Sequence, residues 1–238
     1  MKAIKSISVA AVALLLLLTS CGGGFKTVKP IAGTTQGQLD SASYALGNWM
    51  AITVKNTGID ENIDLNQVIK GFKDKLGDNS KFEEAIVFDI LNSYTQAINN
   101  AKAEENLKEG QAFLETNKTK EGVITLGSGL QYKVLSEGNG VFPTSDDTVE
   151  VNYKGSYIDG TEFDSSERSG GSVSFPLNGV IPGWTEGIPY ASEGGKIMLY
   201  IPTELAYGNS NPNIQPNATL VFEVELLKVI KASEEPIQ

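Results

Sequence analysis

Histidine is absent from the 238-residue sequence, and cysteine occurs once, as Cys21. Ser/His and Cys/His catalysis need an imidazole base, and the usual zinc sites need histidine or several thiolates. These two shortages exclude the common hydrolase mechanisms and leave a Ser-Lys or carboxylate-only site as formal alternatives. Neither alternative shows a spacing motif. We also expect no metal ion and no cofactor.

Basic residues are also few, since 19 Lys and Arg stand against 29 Asp and Glu, a formal net charge of −10. An acidic surface repels phosphates, so the balance argues against nucleic acid as a partner. The acid excess otherwise serves solubility. With no second cysteine a mature secreted chain forms no internal disulfide, so its stability must come from packing.

Residues 1–20 have the composition of a secretory signal peptide. Lys2 and Lys5 precede an uncharged run that is too short for the roughly 20 apolar residues of a membrane-spanning helix. The following Leu-Thr-Ser-Cys ending resembles a bacterial lipobox, which implies cleavage before Cys21 and lipidation of that residue. Gly22 stands where an aspartate would resemble an inner-membrane retention signal. We therefore expect a lipid-anchored protein of the bacterial envelope, with the outer membrane, facing the periplasm, preferred.

Residues 21–38 lack an apolar period and predict a lipidated, flexible tether. From 39 to 120 the apolar residues recur at helical spacing and predict two short helices and one long one. Three such helices enclose a thin core, so this region is expected to be a dimerisation domain that pairs with a second copy. A small self-sufficient helical bundle is the alternative.

Individual residues mark where the predicted helices begin and end. Asp64 is expected to cap the second helix and Gly77 to end it. Ser80 and Glu83 form a capping-box pattern that is expected to open the third helix. That helix is predicted to run about 35 residues, or about 50 Å, with the polar stretch 102–111 as an exposed spacer.

From residue 121 to 230 the apolar period shortens to two, which is typical of half-buried strands. Turn signals at 137–140 and at Asp159-Gly160 divide the strands, and Pro182 favours the first turn of a short helix. The expected fold class is therefore α+β: an N-terminal all-helical domain, then an antiparallel sheet wrapped on one short helix, then a tail at 231–238. The alternating apolar positions are Leu130, Tyr132, Val134, Val149, Val151, Tyr153, Val173, Phe175, Leu177, Leu220, Phe222, Val224 and Leu226.

Five separated motifs carry the functional signal. They are 151–155 (VNYKG), 160–166 (GTEFDSS), 180–187 (VIPGWTEG), 205–208 (LAYG) and 218–227 (ATLVFEVELL). In this order and spacing they resemble the FKBP-type peptidyl-prolyl cis-trans isomerases, over about residues 122–228. With the lipobox and the helical half, the mature chain resembles the macrophage infectivity potentiator subclass, in which N-terminal helices form a dimer and a long helix separates the catalytic domains. The resemblance implies an enzyme that accelerates X-Pro bond rotation in Pro-containing, unfolded exported proteins.

The resemblance also implies an aromatic pocket. Trp184 would form the floor under the proline ring, while the Tyr207 hydroxyl and the Ile181 N–H would meet substrate carbonyls. Asp164 would lie at the rim, with Arg168 as a candidate partner. By composition alone each aromatic is more often a core residue, and Asp164 is equally a turn or cap residue. The implied catalytic residues are Tyr153, Phe163, Asp164, Trp184, Tyr207 and Phe222, and the implied substrate-binding residues are Phe175, Val180, Ile181 and Ile214.

The loop after Tyr207, residues 209–217, departs from the family pattern. It is shorter than in the single-domain members and has Asn213 and Gln215 where they carry an apolar residue and a proline. Ile214 is the apolar side chain left for the pocket mouth, so the expectation of macrolide inhibitor binding is weakened. The main alternative to catalysis is a non-enzymatic dimeric chaperone for unfolded or Pro-containing chains. A spacer protein with an inactive domain is a third reading, which the intact pocket pattern disfavours.

Overall fold

The computed structural model describes residues 28–232, so the expected signal peptide, Cys21 and most of the expected tail lie outside the described residues. Two compact units divide the chain after Asn56. Within residues 28–232, no helix combines the length and the apolar character that crossing a membrane requires.

The first unit contains helix α1, Gln36–Asn56, which begins slightly before the predicted start of the helical region. Thr35 and Gln38 stabilise its N-terminus reciprocally, because the Thr35 N–H donates to Gln38 Oε1 (2.9 Å) and the Gln38 N–H donates to Thr35 Oγ1 (3.3 Å). None of its residues is buried. Its large exposed apolar side chains are Tyr44, Leu46, Trp49 and Ile52.

The second unit opens with helices α2, Leu65–Leu76, and α3, Glu84–Asn117. The predicted ends of α2 are confirmed, since Asp64 Oδ1 accepts from the Asn66 N–H (2.8 Å) and Gly77 is the C-cap residue. The 34 residues of α3 confirm the expected long helix.

The predicted capping box at the start of α3 is wrong. The helix begins only at Glu84, and its N-cap residue, Glu83, makes no capping bond through its side chain. The Ser80 hydroxyl instead donates to the carbonyl of Phe82 (2.8 Å). A short-range bond of this kind stabilises a non-helical turn, so it competes with helix initiation at Ser80.

The expectation that 102–111 is an exposed spacer is also wrong for one side of the helix. Ala103, Asn106 and Gly110 are buried, at the spacing of three and four residues that places them on one face. Small side chains let the helix approach closely, and the Asn106 amide is paired with the carbonyl of Pro216 (2.7 Å). A polar composition therefore did not prevent burial, because the polar group found a partner.

The C-terminal end of α3 is joined to the sheet by paired polar side chains. Asn117 is fully buried, and its Nδ2 donates to Gln131 Oε1 (2.9 Å). Gln131 Nε2 in turn donates to the Leu114 carbonyl (2.8 Å). The rings of Phe113 and Tyr200 lie 5.9 Å apart nearby. The helix end is thereby fixed to the sheet at Gln131 and Tyr200.

Among residues 28–232, seven antiparallel strands form one sheet, in the order β1-β2-β6-β7-β3-β4, with β5 also paired to β3. The strands are β1 Ile124–Thr125, β2 Gln131–Ser136, β3 Thr148–Tyr157, β4 Glu162–Ser165, β5 Val173–Pro176, β6 Lys196–Ile201 and β7 Leu220–Ile230. Helix α4, Pro182–Gly187, starts with the proline in its first turn, as predicted. It lies so close to β6 that a methyl group on Gly183 would overlap Ile201 Cγ2. The predicted fold class, an antiparallel sheet wrapped on one short helix after a helical region, is confirmed.

Candidate active site

A cavity of about 570 Å³ lies between α4 and the strands β3, β4, β5 and β7. Every residue that the sequence analysis placed in the pocket lines this cavity, except Ile214. That residue lies in the 209–217 loop and packs against the core cluster instead. Val173 and Gly179 also line the cavity, although no motif singled them out. The lining residues are Tyr153, Phe163, Asp164, Val173, Phe175, Gly179, Val180, Ile181, Trp184, Tyr207 and Phe222.

Trp184 forms the floor of the cavity and is only 6% exposed. The rings of Tyr153 and Phe222 stand nearly at right angles to its ring, with centroid distances of 5.1 Å in both cases. The Phe175 ring lies 5.2 Å away at 41°. Edge-to-face contacts are favourable because the positive ring edge meets the negative ring face. Three rings therefore hold the indole in one orientation.

The opposite wall depends on Gly155 in β3. The sheet register pairs Gly155 with Phe222 on one side and with Asp164 on the other. A Cβ atom on Gly155 would lie 2.8 Å from both Phe163 Cζ and Phe222 Cε1. The absence of a side chain thus lets the two rings meet edge to face, with centroids 5.6 Å apart. Gly155 ends the 151–155 motif, but nothing in the motif pattern indicates this role.

A polar pair stands at the rim. The Tyr153 hydroxyl donates to Asp164 Oδ2 (2.7 Å), and Asp164 Oδ1 accepts from the Ser165 N–H (2.9 Å). Burial, and next the hydrogen bond to Asp164, raise the pKa of Tyr153 well above its usual range, so the phenol stays protonated and remains a donor. The expected pairing of Arg168 with Asp164 is wrong. Arg168 instead donates to the Phe163 carbonyl (2.6 Å) and forms an ion pair with Glu162 (3.3 Å).

Two further donors belong to residues that line the cavity and have no partner in the described part of the chain. Burial, together with the charge of Asp164, raises the pKa of Tyr207, so its hydroxyl also stays protonated. Within residues 28–232 that hydroxyl makes no hydrogen bond, and neither does the backbone N–H of Ile181. The Ile181 carbonyl, by contrast, accepts from the Trp184 N–H (2.9 Å) at the start of α4.

A sheet wrapped on one short helix, with an aromatic cavity between them, is the architecture expected of the FKBP class. Residues 139–227 match the family described as FKBP-type peptidyl-prolyl cis-trans isomerase, and residues 39–134 match the domain amino terminal to it. The chain belongs to the FKBP-type peptidyl-prolyl cis-trans isomerase family.

Relatives extend this similarity over most of the chain. The chain is 40% identical to Outer membrane protein MIP of Legionella longbeachae over 204 residues, which is 82% of this chain and 87% of the relative. It is 41% identical to FKBP-type peptidyl-prolyl cis-trans isomerase FkpA of Escherichia coli K12, over 79% of this chain and 74% of the relative. The crystal structure of FkpA from Escherichia coli superposes with a TM-score of 0.67 at 40% identity, covering 85% of this chain and all of that one. The predicted activity is therefore confirmed: the protein is an enzyme that isomerises X-Pro bonds. No observation favours the non-enzymatic alternative.

Proposed function

We propose that X-Pro bonds rotate in the aromatic cavity, with the proline ring seated on Trp184 between Tyr153, Phe163 and Phe222. The observation that carries this proposal is the packing of three rings around the indole at 5.1–5.2 Å, because it presents the flat Trp184 side chain as an apolar, aromatic surface in the cavity. Phe175, Val180 and Ile181 complete the substrate-binding wall.

The cavity needs no covalent chemistry to catalyse this reaction. A planar amide is held by resonance, with a rotation barrier of about 18–20 kcal/mol. In the twisted transition state the carbonyl is no longer conjugated with nitrogen, so charge separation is smaller than in the planar ground state. An apolar cavity therefore binds the twisted form better than the planar one. An acceleration of about 10⁵ requires only about 7 kcal/mol of such differential binding.

The polar groups hold the peptide on either side of the proline. The Ile181 N–H and the Tyr207 hydroxyl are available to donate to substrate carbonyls, because neither donates a hydrogen bond to another described residue. Asp164 fixes the Tyr153 hydroxyl at 2.7 Å and so keeps that ring against the indole. When the peptide is held at these points, the X-Pro peptide bond between them is the bond that rotates.

The assembly we propose is a homodimer that pairs through residues 39–120 and carries an isomerase domain at 121–230. Its support is the apolar surface on the helices: Ile69 and Leu76 of α2, and Phe88 and Leu91 of α3, are exposed in the single chain. Large exposed apolar surface of this kind marks an interaction site. Light scattering on the soluble chain at micromolar concentration is expected to give the dimer mass, and a monomer mass would refute the pairing.

The location we propose is the bacterial envelope, with Cys21 lipidated after removal of residues 1–20 and the outer membrane, facing the periplasm, preferred. The lipobox pattern supports this, as does the name of the Legionella relative, an outer membrane protein. Exported proteins that contain proline are then the substrates. Metabolic labelling with a fatty acid is expected to mark the wild-type chain, and labelling that persists in Cys21→Ala would refute the anchor.

The test of the site is the cis-to-trans rate of a short X-Pro peptide with the soluble chain and its Asp164→Ala and Phe222→Ala variants. Both are expected to lose most of the activity. The matched controls are Asp146→Ala and Phe142→Ala, whose exposed side chains lie outside the cavity lining. If Phe222→Ala folds and keeps full activity, the cavity is not where the bond rotates. Full activity in Asp164→Ala would remove the aspartate alone.

A further inference from the structure

We propose that Asn106, in the middle of the long helix α3, is a positioning residue that sets the substrate selectivity of the isomerase site. It would act by holding the 209–217 loop beside Tyr207. This inference rests on the proposed location of catalysis in the aromatic cavity. The polar stretch of α3, predicted from its composition to be an exposed spacer, thereby gains a role at the isomerase site.

The first step is the contact between α3 and the end of the loop. Asn106 is only 7% exposed, and its Nδ2 donates to the Pro216 carbonyl at 2.7 Å. One turn further along, Gly110 lies so close to Thr219 that a methyl group on the glycine would overlap the threonine hydroxyl. The helix backbone therefore rests directly on the segment that joins the loop to β7.

The second step connects that segment to the cavity. The Asn217 N–H, next to Pro216, donates to the Gly208 carbonyl (3.0 Å) and so closes the loop immediately after Tyr207. Asn217 holds a left-handed backbone conformation, with φ of 53°, which asparagine adopts more readily than most other residues. The turn at the loop end is therefore favoured by its own sequence, and the Asn106 bond to the Pro216 carbonyl ties this turn to α3.

The third step is a parallel tether on the other side of the loop. The Gln215 N–H donates to the Tyr157 hydroxyl (3.1 Å), and the Tyr157 ring lies 5.0 Å from that of Phe163, a wall of the cavity. The loop is therefore held on one side by Asn106 of α3 and on the other by Tyr157, which packs against Phe163. Moving Pro216 shifts the chain on both sides of it, towards Tyr207 and towards Phe163.

Helix and loop leave a small cleft of about 110 Å³ between them, bordered by Lys102, Glu109 and Asp159. Charged side chains and water occupy such a cleft more readily than apolar groups do, so it offers the loop room to move once the Asn106 bond is lost. The loop follows directly after Tyr207, which lines the cavity. The position of the loop therefore sets where Tyr207 lies, and through Tyr207 it sets which residues flanking the proline are accommodated. Asn106 thus links the helical region to peptide selectivity without touching substrate.

The test compares Asn106→Ala with the matched control Asn100→Ala, an exposed asparagine on the same helix with no side-chain hydrogen bond among the described residues. Alanine favours the helix, so α3 persists in both variants. The readout is kcat/KM for X-Pro peptides in which X is small, large apolar or acidic. We expect the ratio between large and small X to change about three- to tenfold in Asn106→Ala, the effect of one lost hydrogen bond. We expect no change in Asn100→Ala.

Hydrogen exchange supplies a second readout that a merely stabilising contact would not move selectively. In Asn106→Ala the Asn217 amide is expected to exchange at least threefold faster, while amides of β3 exchange at the wild-type rate. Tyr157→Phe removes the other tether and is expected to shift the same selectivity ratio. If Asn106→Ala changes neither the ratio nor the Asn217 exchange rate, the inference is refuted. Loss of activity in Phe222→Ala in that same experiment would leave the proposed cavity standing, so the two failures are distinguishable.

Discussion

Replacing Tyr153 with phenylalanine tests the rim of the cavity with minimal disturbance. The ring and its 5.1 Å edge contact with Trp184 remain, and only the hydroxyl that donates to Asp164 at 2.7 Å is lost. A hydrogen bond to a carboxylate contributes about 1.5–3 kcal/mol to stability. Because both side chains are partly exposed, water replaces some of this, and we expect a loss of about 1–1.5 kcal/mol in the free energy of unfolding.

The same change is expected to slow catalysis. Asp164 keeps the Ser165 N–H (2.9 Å) but no longer restrains the Tyr153 ring, so the wall above the indole becomes mobile. A loss of about 1.4 kcal/mol in transition-state binding corresponds to a tenfold lower kcat/KM. The assay is the cis-to-trans rate of a short X-Pro peptide, measured beside urea unfolding of the same samples.

A double-mutant cycle with Asp164→Asn decides whether the pair acts as one unit. If the hydroxyl works through the carboxylate, the two single changes are not additive, and their coupling energy is about 1 kcal/mol. Independent effects that add to within about 0.3 kcal/mol would show that the Tyr153–Asp164 bond has no role in shaping the rim. Such additivity would refute the reasoning even if both single variants lose activity.

Three further predictions concern Gly155, Tyr207 and Asp147. Gly155→Ala should place a methyl group against Phe163 and Phe222, lowering unfolding free energy by about 1–3 kcal/mol and abolishing most isomerase activity; wild-type values in urea unfolding and the peptide assay would contradict this. Since the raised pKa of Tyr207 keeps its hydroxyl protonated, kcat/KM should stay level from pH 7 to pH 9.5, and a decline would identify an ionising group. Burial alone would raise the pKa of Asp147, but hydrogen bonds from the Thr144 and Ala232 N–H groups and from Lys231 hold this pKa below its ordinary 3.8. The contribution of ionised Asp147 to the free energy of unfolding is therefore present above that pH and is lost as the pH falls below it. Asp147→Asn should therefore lower Tm at pH 7 and flatten its fall below pH 4.

The sequence predicted the sheet well where polar and apolar residues alternate, and poorly where they do not. Strand β6 was missed because residues 196–201 form a nearly continuous apolar run, which lacks the period of two. Its alternate residues Ile197, Leu199 and Ile201 are nevertheless all fully buried in the core. Burial on one face is decided by the neighbouring strands, and an apolar run does not show which face that is.

The predicted pairing of Arg168 with Asp164 was wrong because other partners were available to both side chains. Arg168 lies four residues after Asp164, yet its guanidinium reaches Glu162 and the Phe163 carbonyl. The carboxylate is already occupied by the Tyr153 hydroxyl, which comes from another strand. Separation along the sequence is a poor guide to such pairs, because the pairing of strands determines which side chains lie within hydrogen-bonding distance.

The amino-acid sequence by itself determined the class of protein. The absence of histidine excluded most nucleophilic and zinc chemistry, because that chemistry depends on residue type. The five motifs carried a family resemblance, which implied that Trp184, Tyr207 and Asp164 share one non-covalent site. Tertiary structure alone decided how the site is built. In the folded protein Phe163 and Phe222 meet over Gly155, and Asn106 in the polar stretch of α3 binds the Pro216 carbonyl of the loop. Both are contacts between residues far apart in the chain, and close packing selects such contacts only when the whole fold is assembled.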